Sequence, residues 1–196
     1  MNTAPSASPG EAPQEEPLEI FLQPGELYFG EGRTRVRTLL GSCVAIAVWH
    51  PRLRIGGLCH YMLPGRGAHH GAHRELDGRY ADEAMLLFLR DMRAAGTRPD
   101  EYEAKLFGGG RMFAPDRPLP AQVGCVDVPC KNVLRGRELV RQHGLRLKAE
   151  HLGGEGHRNL LFEIWSGDAY LKFWGQNAEA SISRCALPGT DNPGCP

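Results

Sequence analysis

The stretch LLGSCVAIAVWHPRLRIGGLCHYMLPG, residues 39–65, constrains this chain more than any other. It holds two apolar runs, CVAIAVWH and RIGGLCHYML, separated by the turn HPRLR. Pro51 fixes a backbone dihedral in that turn, and the arginines keep its tip in water. A strand with one wet face alternates apolar and polar residues. These runs are apolar at positions on both faces, so they read as a β-hairpin buried on both sides rather than an open edge.

The hairpin also carries chemistry. Gly41-Ser42 lead into Cys43 at the mouth of the first run, and Cys59-His60 stand near the end of the second. The plain reading of Cys43 is a small core hydrophobe, since free cysteine is among the most buried residue types. The plain reading of His60 is a core histidine bonded to a carbonyl. The alternative is a thiolate and its base. A nucleophilic cysteine needs a partner that takes its proton, and a glycine just ahead lets the backbone turn and aim its amides at a nearby group. A turn centred on HPRL pairs Cys43 directly with His60; a one-residue slip would put them on opposite faces. Cys59 then faces away from the His60 side.

The remaining pattern sets the fold class. LEIFLQPGELYFG predicts two short strands broken at Pro24-Gly25. RYADEAMLLFLRDMRAAG predicts a helix, with acids first, arginines last and Gly96 as a stop. Ala84, Leu87, Phe88 and Met92 recur at helical spacing as its core face. YEAKLFGGGRMF reads as a strand running into three glycines, and QVGCVDVP as another strand. CKNVLRGRELVRQHG reads as a second helix, with Asn132 near its start and Gly144 past its end. LRLKAEHLGGEG, RNLLFEIWSG and DAYLKFWG follow as strands. The order lacks βαβ alternation, so it predicts α+β or mixed α/β with more strand than helix, not a doubly wound sheet. The segment MNTAPSASPGEAPQEEP lacks the basic and apolar regions of a signal peptide and predicts a disordered leader over 1–17. LPGTDNPGCP predicts a flexible tail over 187–196, leaving one domain over 18–186.

Several functions lose support. Lys plus Arg and Asp plus Glu balance at 23 each, which gives no electrostatic case for nucleic acid or an anionic membrane. No run approaches the ~18 apolar residues of a spanning helix. The six cysteines, with no secretory signal, read as reduced thiols. They contain no C-x-x-C, so no structural zinc site is written in their spacing. His69, His70 and His73 fall in a long Gly- and His-rich loop near Glu75 and Asp77; no metal is expected there. Gly108, Gly109 and Gly110 would let a substrate backbone approach closely, or simply make a turn, and lack the lysine of a phosphate loop.

Four blocks, in order, resemble the CheD family of bacterial chemoreceptor glutamine deamidases: TLLGSCVAIAVWHP; GGLCHYMLP; RYADEAM followed by EAKLFGGGRMF; and LGGEGHRNLLFEIWSGDAYLK. The first two are the most specific. The resemblance implies a layered αβ sandwich of mixed β-sheets with flanking helices. It implies Cys43 as nucleophile, His60 as base, and a threonine completing the site, with Thr38 the candidate and Thr34 the other in reach. Backbone amides near Cys43, at Gly41 and Ser42, would hold the oxyanion, with Gly108 and Gly109 beside the substrate. The implied substrate is a glutamine on the cytoplasmic helical domain of a methyl-accepting chemotaxis receptor. Glutamate methyl esters share the acyl chemistry. No cofactor is needed, the implied location is cytoplasmic, and some family members bind a CheC-type phosphatase. The sequence departs from the family pattern at Cys59, at Cys130-Lys131 and at His157, none of which removes a catalytic group. Three rival readings remain: a non-enzymatic receptor adaptor that does not depend on Cys43, a cysteine deamidase acting on another protein, and a metal-binding protein using the surplus Cys and His.

Overall fold

The buried hairpin lies at the centre of three layers. The computed structural model describes residues 16–67, 75–112, 125 and 127–175, and the backbone of 181–185. The order is β1 (Leu18–Phe21), β2 (Leu27–Gly30), β3 (Thr34–Leu40), β4 (Val44–His50), β5 (Ile55–Tyr61), α1 (Ala81–Ala94), β6 (Glu103–Gly108), α2 (Val128–Gln142), β7 (Arg146–Leu152), β8 (Gly156–Glu163), β9 (Ala169–Gly175) and β10 (Ser181–Cys185). One sheet runs β1-β3-β8-β9-β10; the other runs β2-β5-β4-β6-β7. Both are mixed, with β1/β3 and β6/β7 parallel and the other pairs antiparallel. The fold is therefore α+β and strand-rich, as the pattern predicts, in the layered arrangement of mixed sheets that the resemblance implies.

The central sheet has a core on each face, which is why its strands are apolar throughout. Toward the other sheet, Ala45, Ala47, Leu58 and Phe107 meet Val36, Leu40, Leu160 and Phe162. Toward the helices, Val44, Ile46, Val48, Cys59 and Tyr61 meet Met85, Phe88, Met92, Leu139 and Val140. Every residue of β4 is buried. Helix α1 buries Ala81, Ala84, Met85, Phe88 and Met92 along one stripe; Leu87 is only half-buried and Met85 takes the place expected for it.

Four features differ from the sequence reading. First, the hairpin register is displaced. Pro51–Arg54 make a four-residue turn closed by Arg54 N–H on His50 O at 2.8 Å and Leu53 N–H on His50 Nδ1 at 3.2 Å. His60 therefore lies opposite Ala45 and not Cys43. The displacement is by two residues of the partner strand, so faces are preserved. Second, Val128-Pro129 open α2 instead of ending a strand: the Asp127 carboxylate caps the helix by accepting from Cys130 N–H at 3.0 Å, and Pro129 suits a first turn. Third, that same helical turn brings Cys125 and Cys130 to a Cα separation of 5.5 Å, and they are joined as a disulfide, whereas the sequence reading has reduced thiols throughout. Cys43 and Cys59 are free. Fourth, Thr34–Leu40 and Ser181–Cys185 are strands that the sequence reading does not assign. The leader over 1–17, apart from Glu16 and Pro17, the tail over 187–196, and His69, His70 and His73 lie outside the described residues.

Candidate active site

Thr38 and His60 meet between the two sheets, and Cys43 packs against the same inter-sheet core. Along β3 the residues Thr34, Val36, Thr38 and Leu40 point inward, alternating with Arg35, Arg37 and Leu39. On β5, His60 shares the inward face with Leu58, and both lie opposite inward residues of β4. Cys43 stands one residue ahead of β4 and two from Ala45, so it shares that face and sits a diagonal step from His60. Cys59 points the other way, into the helix-side core, as expected.

The hydrogen bonds around His60 fix its tautomer. Thr38 Oγ1 lies 2.7 Å from His60 Nδ1 and donates to Leu22 O at 2.9 Å. A hydroxyl has one proton, and the Leu22 carbonyl can only accept. That proton is thus spent on Leu22, and Thr38 accepts from Nδ1–H. The lone pair is then on Nε2, which is buried with no partner among the described residues. A neutral imidazole with its free nitrogen in the inter-sheet space is a proton acceptor in waiting. Burial pushes the His60 imidazole down from 6.5 to about 4, opposed by the Leu22 carbonyl and the Glu26 charge. Thr34, the other threonine considered, donates to Glu31 O at 3.2 Å, and it is Thr38 that meets His60.

Cys43 is half-buried and free. Burial raises its thiol, and the Ser42 side chain opposes this by hydrogen bonding. The pair at neutral pH is therefore thiol and neutral imidazole, not a preformed ion pair. Cys59, wholly buried, is pushed up to about 12 and has no access to solvent. The two free cysteines thus differ sharply in availability.

The turn bearing Cys43 is held through its carbonyls. Gly109 N–H donates to Cys43 O and Gly110 N–H to Gly41 O, both at 2.8 Å. A Cβ on Gly108 would lie 2.2 Å from Cys43 O, and the φ of +114° there is one that L side chains rarely adopt. Gly108 and Gly109 are buried against the Cys43 turn itself. Behind Gly110 lies Arg158 of β8, almost wholly buried. Its Nε donates to His151 Nδ1 at 2.9 Å, its Nη2 to Gly153 O at 2.5 Å, and its plane covers Phe173. Burial lowers this guanidinium to about 10. Around the mouth, Met62 and Met112 are partly exposed, and Met112 covers Gly41 closely enough that a Cβ there would lie 2.7 Å from its sulfur.

One residue of this neighbourhood escaped the sequence reading except as a helix-start marker. Asn132 of α2 is wholly buried, and its Nδ2 donates to Met62 O at 2.7 Å and Ser42 O at 3.3 Å. A buried asparagine in the first turns of an amphipathic helix is the only local signal for it. Among the described residues, no group of three or more His, Cys, Asp or Glu could hold a metal ion.

Comparison with known proteins places the chain among relatives. The family model described as CheD chemotactic sensory transduction matches residues 62–173, a span that begins just after His60. A protein named "Probable chemoreceptor glutamine deamidase CheD 3" from Dechloromonas aromatica is 52% identical over 164 residues, covering 84% of this chain and 92% of its own. One named "Probable chemoreceptor glutamine deamidase CheD" from Pseudomonas savastanoi pv. phaseolicola is 51% identical over 154 residues, 79% of this chain and 84% of its own. One from Leptospira interrogans is 38% identical over 156 residues, 79% of this chain and 92% of its own.

Proposed function

The chain belongs to the CheD family, and from that premise we propose that it is a chemoreceptor glutamine deamidase whose nucleophile is Cys43 and whose base is His60. The observation that carries the reading of the site is the unpartnered Nε2 of His60, freed for proton transfer by the Nδ1–Thr38–Leu22 chain. In the reaction, Nε2 accepts the Cys43 thiol proton as sulfur attacks the side-chain carbonyl carbon of a receptor glutamine. Negative charge gathers on the carbonyl oxygen, facing amides of the Gly41–Ser42–Cys43 turn; one such donor is typically worth about 3 kcal/mol. The imidazolium returns its proton to the departing nitrogen, which leaves as ammonia. The same Nε2 then takes a proton from water, whose oxygen attacks the thioester. Glutamate forms and the thiol is restored. Thr38 acts through the imidazole, which it orients. Gly108 and Gly109 support the turn from behind. Receptor glutamate methyl esters would pass through the same thioester.

The half-exposed Cys43 beside Met62 and Met112 suits a side chain presented on a protein surface, as on the helical cytoplasmic domain of a receptor. Among the described residues no helix is long and apolar enough to cross a membrane. The reading places the action in the cytoplasm, where such a substrate lies, and assigns it to one catalytic domain over 18–186, with a CheC-type phosphatase as a further partner. The test is incubation with a chemoreceptor cytoplasmic fragment, followed by peptide mass spectrometry for conversion of Gln to Glu. Conversion at specific glutamines that disappears with Cys43→Ala is expected. Binding without conversion would replace the deamidase with an adaptor.

A further inference from the structure

We propose that Asn132 is a positioning residue that sets the distance between Cys43 and His60, an inference that rests on the reading of Cys43 as the nucleophile. The β4–β5 ladder ends at the pair Val44↔Tyr61. The next pair outward would be Cys43 with Met62, where the ladder stops. Asn132 stands at that gap. Its NH₂ group has two protons, and the two acceptors in reach are the carbonyls of Ser42 and Met62, one from each side of the gap. The side chain of α2 thus substitutes for a missing rung at the place where the nucleophile leaves the sheet.

The rest of the turn is consistent with this. Three successive carbonyls, those of Gly41, Ser42 and Cys43, each accept a hydrogen bond: from Gly110 N–H, from Asn132 Nδ2 and from Gly109 N–H. Only the middle one depends on a side chain. Asn132 is itself fixed, since its main-chain carbonyl accepts from Tyr61 O–H at 2.7 Å, and Tyr61 neighbours His60. The helix seats this closely because residue 136 is glycine: a Cβ there would lie 2.5 Å from the Tyr61 hydroxyl oxygen.

The amide is also a poor way simply to dock a helix. Its Oδ1 is buried and has no partner among the described residues, and such an acceptor is destabilising. A leucine would fill the space without an orphaned acceptor of its own but could not hold Ser42 and Met62 together.

The experiment uses the full chain with Asn132→Leu and Asn132→Asp. For Asn132→Leu, kcat on a receptor cytoplasmic fragment falls about a hundredfold at unchanged KM, the scale expected for loss of geometry by about an ångström. Melting temperature falls modestly, because the Ser42 and Met62 carbonyls lose this donor, offset in part by removal of the orphaned Oδ1. The rate of Cys43 alkylation by iodoacetamide, which needs no receptor, ceases to depend on His60: adding His60→Ala changes nothing further, whereas in the wild type it slows labelling. Asn132→Asp can donate one proton only when its carboxyl is neutral, so its kcat relative to wild type declines as pH rises. If Asn132→Leu does not fold, Asn132→Asp and its pH ratio decide. Wild-type kcat for Asn132→Leu, a change in KM alone, or alkylation still slowed by His60→Ala would overturn the proposal. Deamidation that survives Cys43→Ala would instead remove the nucleophile reading on which it rests.

Discussion

Thr38→Val tests the tautomer argument with a change of nearly constant volume. Thr38 is wholly buried, so valine refills the space and the loss is confined to one hydroxyl. That hydroxyl lies 2.7 Å from His60 Nδ1 and 2.9 Å from Leu22 O. Removing it strands one donor and one acceptor, each at about 1–3 kcal/mol if nothing moves. The imidazole has two ways to relieve the strain, and both damage catalysis. It can swing Nδ1–H toward Leu22 O, which displaces Nε2. It can move its proton to Nε2, which occupies the atom that must accept from Cys43. A bias of about 2 kcal/mol away from the productive arrangement is roughly a 30-fold loss in kcat. KM stays as in the wild type, because the hydroxyl is turned away from substrate. Ammonia release from a receptor fragment under saturation measures kcat, and Thr38→Ser provides the control by restoring a hydroxyl. Wild-type kcat in Thr38→Val, or equal impairment in Thr38→Ser, would refute the reasoning.

Other expectations follow from the same geometry. Because burial lowers His60 to about 4, kcat/KM should have its acid inflection well below the usual histidine value and should not fall between pH 6 and 8, where an ordinary histidine would titrate; an inflection near 6.5 would contradict the burial argument. The linked stability has a definite sign: the unfolded chain takes up this proton near 6.5 and the folded chain near 4, so stability holds above 6.5 and declines as pH falls from there to about 4, by at most about 3 kcal/mol. Urea titrations of wild type and His60→Gln across that range measure the difference. In the native protein iodoacetamide should label Cys43 and spare the fully buried Cys59; labelling of Cys59 at a comparable rate would mean that the helix layer opens. Gly136→Ala should gain up to about 1 kcal/mol of helix propensity yet be destabilising overall by about 1–3 kcal/mol. The new Cβ meets a buried tyrosine hydroxyl at 2.5 Å that cannot swing aside, and a melting temperature above wild type would show that α2 is not seated on Tyr61.

The parts of this site that could be read from sequence are those whose cause is local. β4 is apolar at every residue but its terminal histidine because it has a core on each face, and that composition alone marks the hairpin as buried. The side on which Cys59 lies follows from strand alternation. The register does not, because it depends on how many residues the turn takes, and four rather than a tighter count moves His60 from Cys43 to Ala45. Strand β3 has the alternating signature, but its outward arginines hide it from a search for apolar runs. Family resemblance points to Thr38 where its pattern does not, and its partner His60 lies on the other sheet. Asn132 lies farther out of reach: its contacts are 70 and 90 residues distant in the chain. They exist only because α2 lies across the end of the β4–β5 ladder. A nucleophile and its base can share one hairpin and so be legible together. The groups that orient the base and hold the turn come from other layers, because a hairpin has no second backbone with which to brace its own open end.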